Sequence, residues 1–192
     1  MFSIEERLAR RKPYNGQFFT VAIDGRGSSG KTALLEYLRT LHKNFVCVHG
    51  DDYFHYINDV VVWGAFDEKR FRREIVQPLR SGRTFTPSSY NFATRRWSKG
   101  SLTHIDSAFC LERVQSFALP LDWDLKIWVE TPKDTCARQG IERDLQHLPR
   151  ARVLAAWKHW QKIEDAYIAE FQPVHQADII VYGMKNFSTQ II

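Results

Sequence analysis

Cysteine is scarce. The 192 residues hold three, Cys47, Cys110 and Cys136, far apart and odd in number. Two sit inside apolar runs and no C-x-x-C pair exists, so reduced core thiols are expected and a disulfide-stapled scaffold is excluded. Long apolar runs are also missing. None approaches the ~18 residues of a membrane span, and the opening stretch, MFSIEERLARRKPYNG, has no apolar core of signal-peptide length. A cytoplasmic location and no membrane partner are therefore expected. Repeats, low-complexity tracts and long Gly/Ser linkers are absent, which predicts one domain over 1–192. The histidines show no H-x₃-H or H-E-x-x-H spacing, and no G-x-S-x-G marks a serine nucleophile.

Charge of one sign is present, in modest excess. Lys and Arg number 27 against 22 Asp and Glu, for a net +5. They are spread along the chain, with groups around residues 69–73, 95–99 and 138–152, rather than gathered in one tail. A mildly basic solvated surface would look like this, and so would a site that handles phosphates. Nucleic acid is not the expected partner, and the sequence leaves homo-oligomerisation open.

The order of elements is βα-like. FFTVAID (18–24) is a continuous run of aromatic and β-branched residues suited to a buried parallel strand. Leu34, Leu35, Leu38 and Leu41 follow at helical spacing, and FVCVHG (45–50) reads as a second strand. Phe71, Ile75 and Leu79 share a helical face, with Pro78 near its end and Gly82 after it. The turn-rich stretch 83–105 predicts a hairpin excursion. AFCLE (108–112), LKIWVE (125–130) and ADIIVYG (177–183) complete five strands. Thr131-Pro132 predicts an N-cap followed by proline at the first helical position. Val153, Trp157, Trp160 and Tyr167 stripe a long helix and read as core packing. IEERLARR near the start reads as a short helix. Strands alternating with helices mean an α/β fold with a mostly parallel sheet, with ligands at the carboxyl ends of its strands.

Between the first strand and its helix lies GRGSSGKT (25–32). Gly25, Gly30, Lys31 and Thr32 satisfy G-x-x-x-x-G-K-[ST]. Gly25, Gly27 and Gly30 also satisfy the dinucleotide pattern G-x-G-x-x-G, which wants an acid about 20 residues on, where Asp51 and Asp52 stand. Lys31-Thr32 decides for the phosphate cradle. Backbone N–H groups of Gly25, Gly27, Ser28, Ser29 and Gly30 can turn inward, the helix offers its N-terminus, Lys31 reaches β- and γ-phosphates, and the Thr32 hydroxyl can ligate Mg²⁺.

IDGRGSSGKTAL, VHGDDYF, AFDEKRF, PLRSGRTFTPSSYNF, CLE, DLKIWVETP, GIERD and ADIIVYG, in this order and spacing, make the chain resemble a P-loop kinase of the uridine kinase and phosphoribulokinase group. The resemblance implies a P-loop NTPase three-layer α/β/α sandwich, with a five-stranded parallel sheet in the order 2-3-1-4-5, a hairpin insertion and a lid near 138–155. It implies ATP–Mg²⁺ as phosphoryl donor and a small-molecule alcohol as acceptor. Asp51 matches the carboxylate that takes the acceptor's hydroxyl proton, which suits its chemistry. Asp52 could serve the metal through water. Glu112 matches the acid near the metal, although Arg113 stands where the family usually has glycine. Arg143 matches a lid arginine that neutralises charge on the transferring phosphoryl.

On the acceptor side the resemblance departs. The acid that holds a nucleoside sugar falls on Val61, and the base-reading histidine falls on Arg95, which argues against uridine or cytidine. Arg95 could instead meet an anionic acceptor. Tyr53, Trp63, Phe66, Tyr90 and Phe92 could wall a ring, though each also reads as core. The sequence thus predicts an ATP- and Mg²⁺-dependent kinase of an unnamed alcohol. The alternative is a regulatory or nucleic-acid-associated ATPase without a small acceptor.

Overall fold

The computed structural model describes residues 18–41, 45–57, 60–82, 84–91, 96–105 and 107–183, with side chains for all of these except 41 and 55–65. The helix expected over IEERLARR lies outside them. In chain order the strands are β1 (Phe19–Gly25), β2 (Phe45–His49), β3 (Phe54–Ile57), β4 (Val60–Phe66), β5 (Ser88–Asn91), β6 (Arg96–Lys99), β7 (Ala108–Glu112), β8 (Leu125–Glu130) and β9 (Ile179–Tyr182). The helices are α1 (Lys31–Leu41), α2 (68–81), α3 (Lys133–Asp144), α4 (Arg150–Phe171) and α5 (Pro173–Gln176).

β1 is buried at every position. A strand covered on both faces has no solvent side, so its residues run apolar instead of alternating. It lies between β7 and β8, parallel to both, and the sheet order is β2-β7-β1-β8-β9. Counting only these five in chain order gives 2-3-1-4-5, the expected doubly wound topology. Its two faces separate the core. Val21, Ile23, Cys110, Ile127 and Val129 meet Leu34, Leu35 and Leu38 of α1. Phe109, Leu111 and Val48 meet Phe71, Ile75, Val76 and Leu79 of α2. Each fully buried aliphatic or aromatic side chain contributes about 1.5–3 kcal/mol, so the leucine stripe read from sequence is what docks α1. The three cysteines are free thiols, Cys110 and Cys136 buried and Cys47 half-buried.

α2 reconciles its internal proline by changing pitch. Residues Arg72–Val76 form a π-turn just before Pro78, and Gly82 closes the helix at φ 64°. Proline lacks the N–H an α-turn would need, and a widened turn relieves the clash its ring would cause. β3 and β4, an antiparallel pair, occupy a stretch for which the sequence reading assigned no strand. β5 and β6 form a second antiparallel pair inside 83–105. Residues 138–155 run through the end of α3, a turn, and the start of α4. Among the described residues no helix is long and apolar enough to cross a membrane.

Candidate active site

The loop after β1 carries backbone that side chains resist. Gly25 has φ 150°, Gly30 104°, and Ser28 60°. A Cβ on Gly25 would lie 2.7 Å from the Val129 carbonyl oxygen, so glycine is required there by space as well as by dihedral. The hydroxyls of Ser28 and Ser29 are buried and have no hydrogen-bond partner. Donors left without partners in a native site need an explanation, and in this loop phosphate oxygens would satisfy them. Lys31 is 7% exposed, and its Nζ donates to the carbonyls of Gly25 (3.1 Å) and Arg26 (2.7 Å). The cation is thereby folded onto its own loop.

Three strand ends converge beside it. Thr32 Oγ1 donates to Glu112 Oε1 at 3.1 Å, and His49 Nδ1 lies 2.9 Å from the same oxygen. Burial pushes the Glu112 carboxyl up, but the His49 hydrogen bond and the Lys31 charge outweigh it and hold the group below its ordinary value. The Glu112 hydrogen bond holds His49 above its own. His49 therefore belongs to the site. Among the described residues no group of three or more His, Cys, Asp or Glu is arranged to hold a metal ion. The hydroxyl and carboxylate of Thr32 and Glu112 nonetheless fit Mg²⁺, which takes one or two protein oxygens and completes its shell with phosphates and water.

Asp51 sits in the 3₁₀ turn Gly50–Tyr53 that follows β2. Its side chain reaches solvent, yet dense surrounding protein and the Glu112 charge raise its pKa, with Lys31, Arg113 and Arg143 opposing. Arg143 is exposed and its Nε donates to Asp144 Oδ1 at 2.7 Å, while its charge reaches Asp51. Asp52, expected near the metal through water, is occupied elsewhere: its Oδ1 accepts from Tyr90 N at 2.9 Å and its carbonyl accepts from the Arg70 guanidinium. It latches the β5–β6 hairpin to the turn.

Of the expected acceptor wall, Phe66 and Tyr90 are half-buried, Tyr90 resting on Trp97 at 4.9 Å between ring centroids. Tyr53 packs in the core: it is fully buried, edge-on to Phe71 at 5.2 Å, with the Arg70 guanidinium over its ring. Arg95 and Phe92 lie outside the described residues, as do the side chains of Val61 and Trp63. Thr131 is corrected. It does not cap α3, whose N-cap is Pro132. Its hydroxyl donates to the Ser29 carbonyl at 2.9 Å, with the Gly183 carbonyl at 3.1 Å, because buried carbonyls need donors more than an exposed helix end does.

Two features had no sequence signal. Asp24 accepts from Gly25 N (2.7 Å), Gln115 N (2.9 Å), Phe117 N (3.1 Å) and Tyr167 Oη (2.7 Å). It joins the glycine loop to the turn after β7 and to α4. Glu164 of α4 accepts from Gly27 N at 2.8 Å, and Arg26 pairs with Asp165 at 2.7 Å. The helix read as core packing therefore lies against the phosphate loop.

A parallel α/β sheet with a glycine loop, Lys-Thr at the helix start and carboxylates on the neighbouring strand ends defines the P-loop kinase fold. No family model matches the chain. It is 21% identical to a uridine kinase of Borrelia duttonii, with 84% of each chain covered. Among solved structures it is similar to a candidate fructose transport system kinase from Silicibacter sp. TM1040, at TM-score 0.65 and 19% identity over 83% of this chain and 90% of that one. A candidate uridine kinase from Bacillus stearothermophilus gives 0.64 and 20% over 93% and 99%. The phosphoribulokinase from Rhodobacter spheroides gives 0.53 and 15% over 86% and 70%. These likenesses bear out the resemblance to P-loop kinases of the uridine kinase and phosphoribulokinase-like group, and they support a small-molecule kinase.

Proposed function

We propose that the chain transfers the γ-phosphoryl group of ATP to an alcohol of a small molecule, with Mg²⁺. The observation that carries this reading is the pair of orphaned Ser28 and Ser29 hydroxyls in a loop whose lysine has only backbone carbonyls to hold. In this reading residues 25–32 cradle the triphosphate, and Lys31 exchanges the carbonyls of Gly25 and Arg26 for phosphate oxygens. Thr32 and Glu112 would hold the metal, which would supply charge neutralisation of the phosphates. Asp51 orients the acceptor hydroxyl and takes its proton as the oxygen attacks phosphorus. Arg143 stabilises charge on the transferring oxygens. Asp52 acts through the hairpin, holding Tyr90 in place.

The test is a phosphorylation screen of a metabolite library read by mass spectrometry. ATP-dependent phosphorylation of an added alcohol is expected, reduced about 10²–10⁴-fold in Asp51→Asn. ATP hydrolysis that needs no alcohol, responds to nucleic acid and survives Asp51→Asn would replace the kinase with the ATPase reading.

A further inference from the structure

β7 delivers two charges to opposite faces of the sheet. Glu112 turns to the phosphate loop. Arg113, the next residue, turns the other way, anchored by its N–H to the Ile23 carbonyl at 3.1 Å. Its stem lies directly on Gly50, where a Cβ would come within 2.4 Å of Arg113 Cβ and 2.6 Å of its Cδ. Gly50 immediately precedes Asp51, so the arginine underlies the turn that presents the carboxylate. The guanidinium carbon sits 3.9 Å from the Phe66 ring centroid and 5.1 Å from that of Phe54.

This cation is 5% exposed, and its Nε is buried with no hydrogen-bond partner. Among the described residues no hydrogen bond or ion pair satisfies its terminal nitrogens either. A guanidinium keeps its charge at neutral pH even when buried. Lys31, the other buried cation of the site, has two carbonyls. Arg113 has aromatic faces, which stabilise its charge but accept none of its N–H bonds. A guanidinium presents its donors as a planar fork that matches a carboxylate or a phosphate and matches a neutral hydroxyl poorly. A largely buried guanidinium whose Nε has no acceptor, on a ring expected to face the acceptor and under the turn that carries the base, is shaped for an oxyanion.

Resting on the kinase reading above, we propose that Arg113 recognises an oxyanion on the phosphoryl acceptor. The alcohol this chain phosphorylates then carries a carboxylate or a phosphate. Arg113 binds that group while Asp51 faces the hydroxyl, which makes Arg113 the specificity-determining residue of the acceptor subsite.

The test uses matched sets of sugars, their sugar acids and their monophosphates. Each is titrated against the full chain loaded with a non-hydrolysable ATP analogue and Mg²⁺, by thermal shift, and then assayed with ATP. Acidic or phosphorylated members should bind and react while their neutral parents do not, and the preferred class separates carboxylate from phosphate. Arg113→Met keeps the stem and removes the donors. It should raise KM for the oxyanion by about tenfold or more and leave KM for ATP unchanged. Arg113→Lys should recover part of the loss. The proposal is overturned if a neutral alcohol is preferred, if no oxyanion binds the loaded chain, or if both variants bind the oxyanion like the wild type. Should Arg113→Met fail to fold, Arg113→Lys and the wild-type preference decide alone. Failure of the ATP analogue to bind at all is a separate readout. It would remove the kinase reading, and this proposal with it.

Discussion

Asp24 is the fully buried penultimate residue of β1, and its two oxygens receive four donors. Burial raises its pKa while those donors oppose the rise. Removing one donor and removing the acceptor should therefore differ sharply. Tyr167→Phe loses a single hydrogen bond and should cost about 1 kcal/mol. Asp24→Ala strands several buried donors and should cost about 3–5 kcal/mol. Urea unfolding of both variants checks the ratio, and equal costs would refute the hub. The sequence offered Asp24 only as the end of an apolar run. By contrast Gly25, Lys31 and Thr32 were legible at once, because a phosphate cradle is built from consecutive residues whose spacing is the mechanism.

α1 and the parallel strands were legible for a similar reason: hydrophobic period is local, and burial follows it. α4 was half legible. Its apolar stripe showed that Trp157 and Tyr167 are buried, but not that Glu164 and Asp165 lie on the phosphate loop. Trp157 fits there only because residue 140 is glycine, where a Cβ would come within 1.8 Å of the indole. Asp165 gives this contact a pH signature. Its hydrogen bond from Lys133, then that from Arg26, holds it below its ordinary 3.8. A carboxylate with a depressed folded pKa contributes stability that is present above the unfolded value and lost as pH falls through the folded one. The difference in Tm between wild type and Asp165→Asn should therefore be largest near neutrality, shrink as pH falls below 3.8 and vanish only below the lower folded value. Added salt should reduce it, since the pair is partly exposed. A difference that persists in acid would assign the effect to packing.

For the molecule as a whole, binding is stability. A ligand held by the glycine loop touches β1, α1 and, through Gly27 and Glu164, α4, so it should stiffen the fold as a unit. An ATP analogue with Mg²⁺ at 100 times its Kd should add about 2.7 kcal/mol, read as a rise in Tm. Lys31→Ala should abolish most of that rise without unfolding the free chain, because Lys31 in the free state holds only carbonyls of its own loop.

Whatever depends on neighbours along the chain was set by the amino-acid order: the five parallel strands, the leucine face of α1, the glycine turn and its Lys-Thr. Whatever depends on neighbours across the sheet was settled only by folding. Asp24 meets donors 91, 93 and 143 residues away, Tyr53 is taken into the core, Asp52 turns to the hairpin, and Arg113 is buried over Phe66. No periodicity records such meetings, because the sheet's crossovers bring strand ends together in an order the chain does not follow.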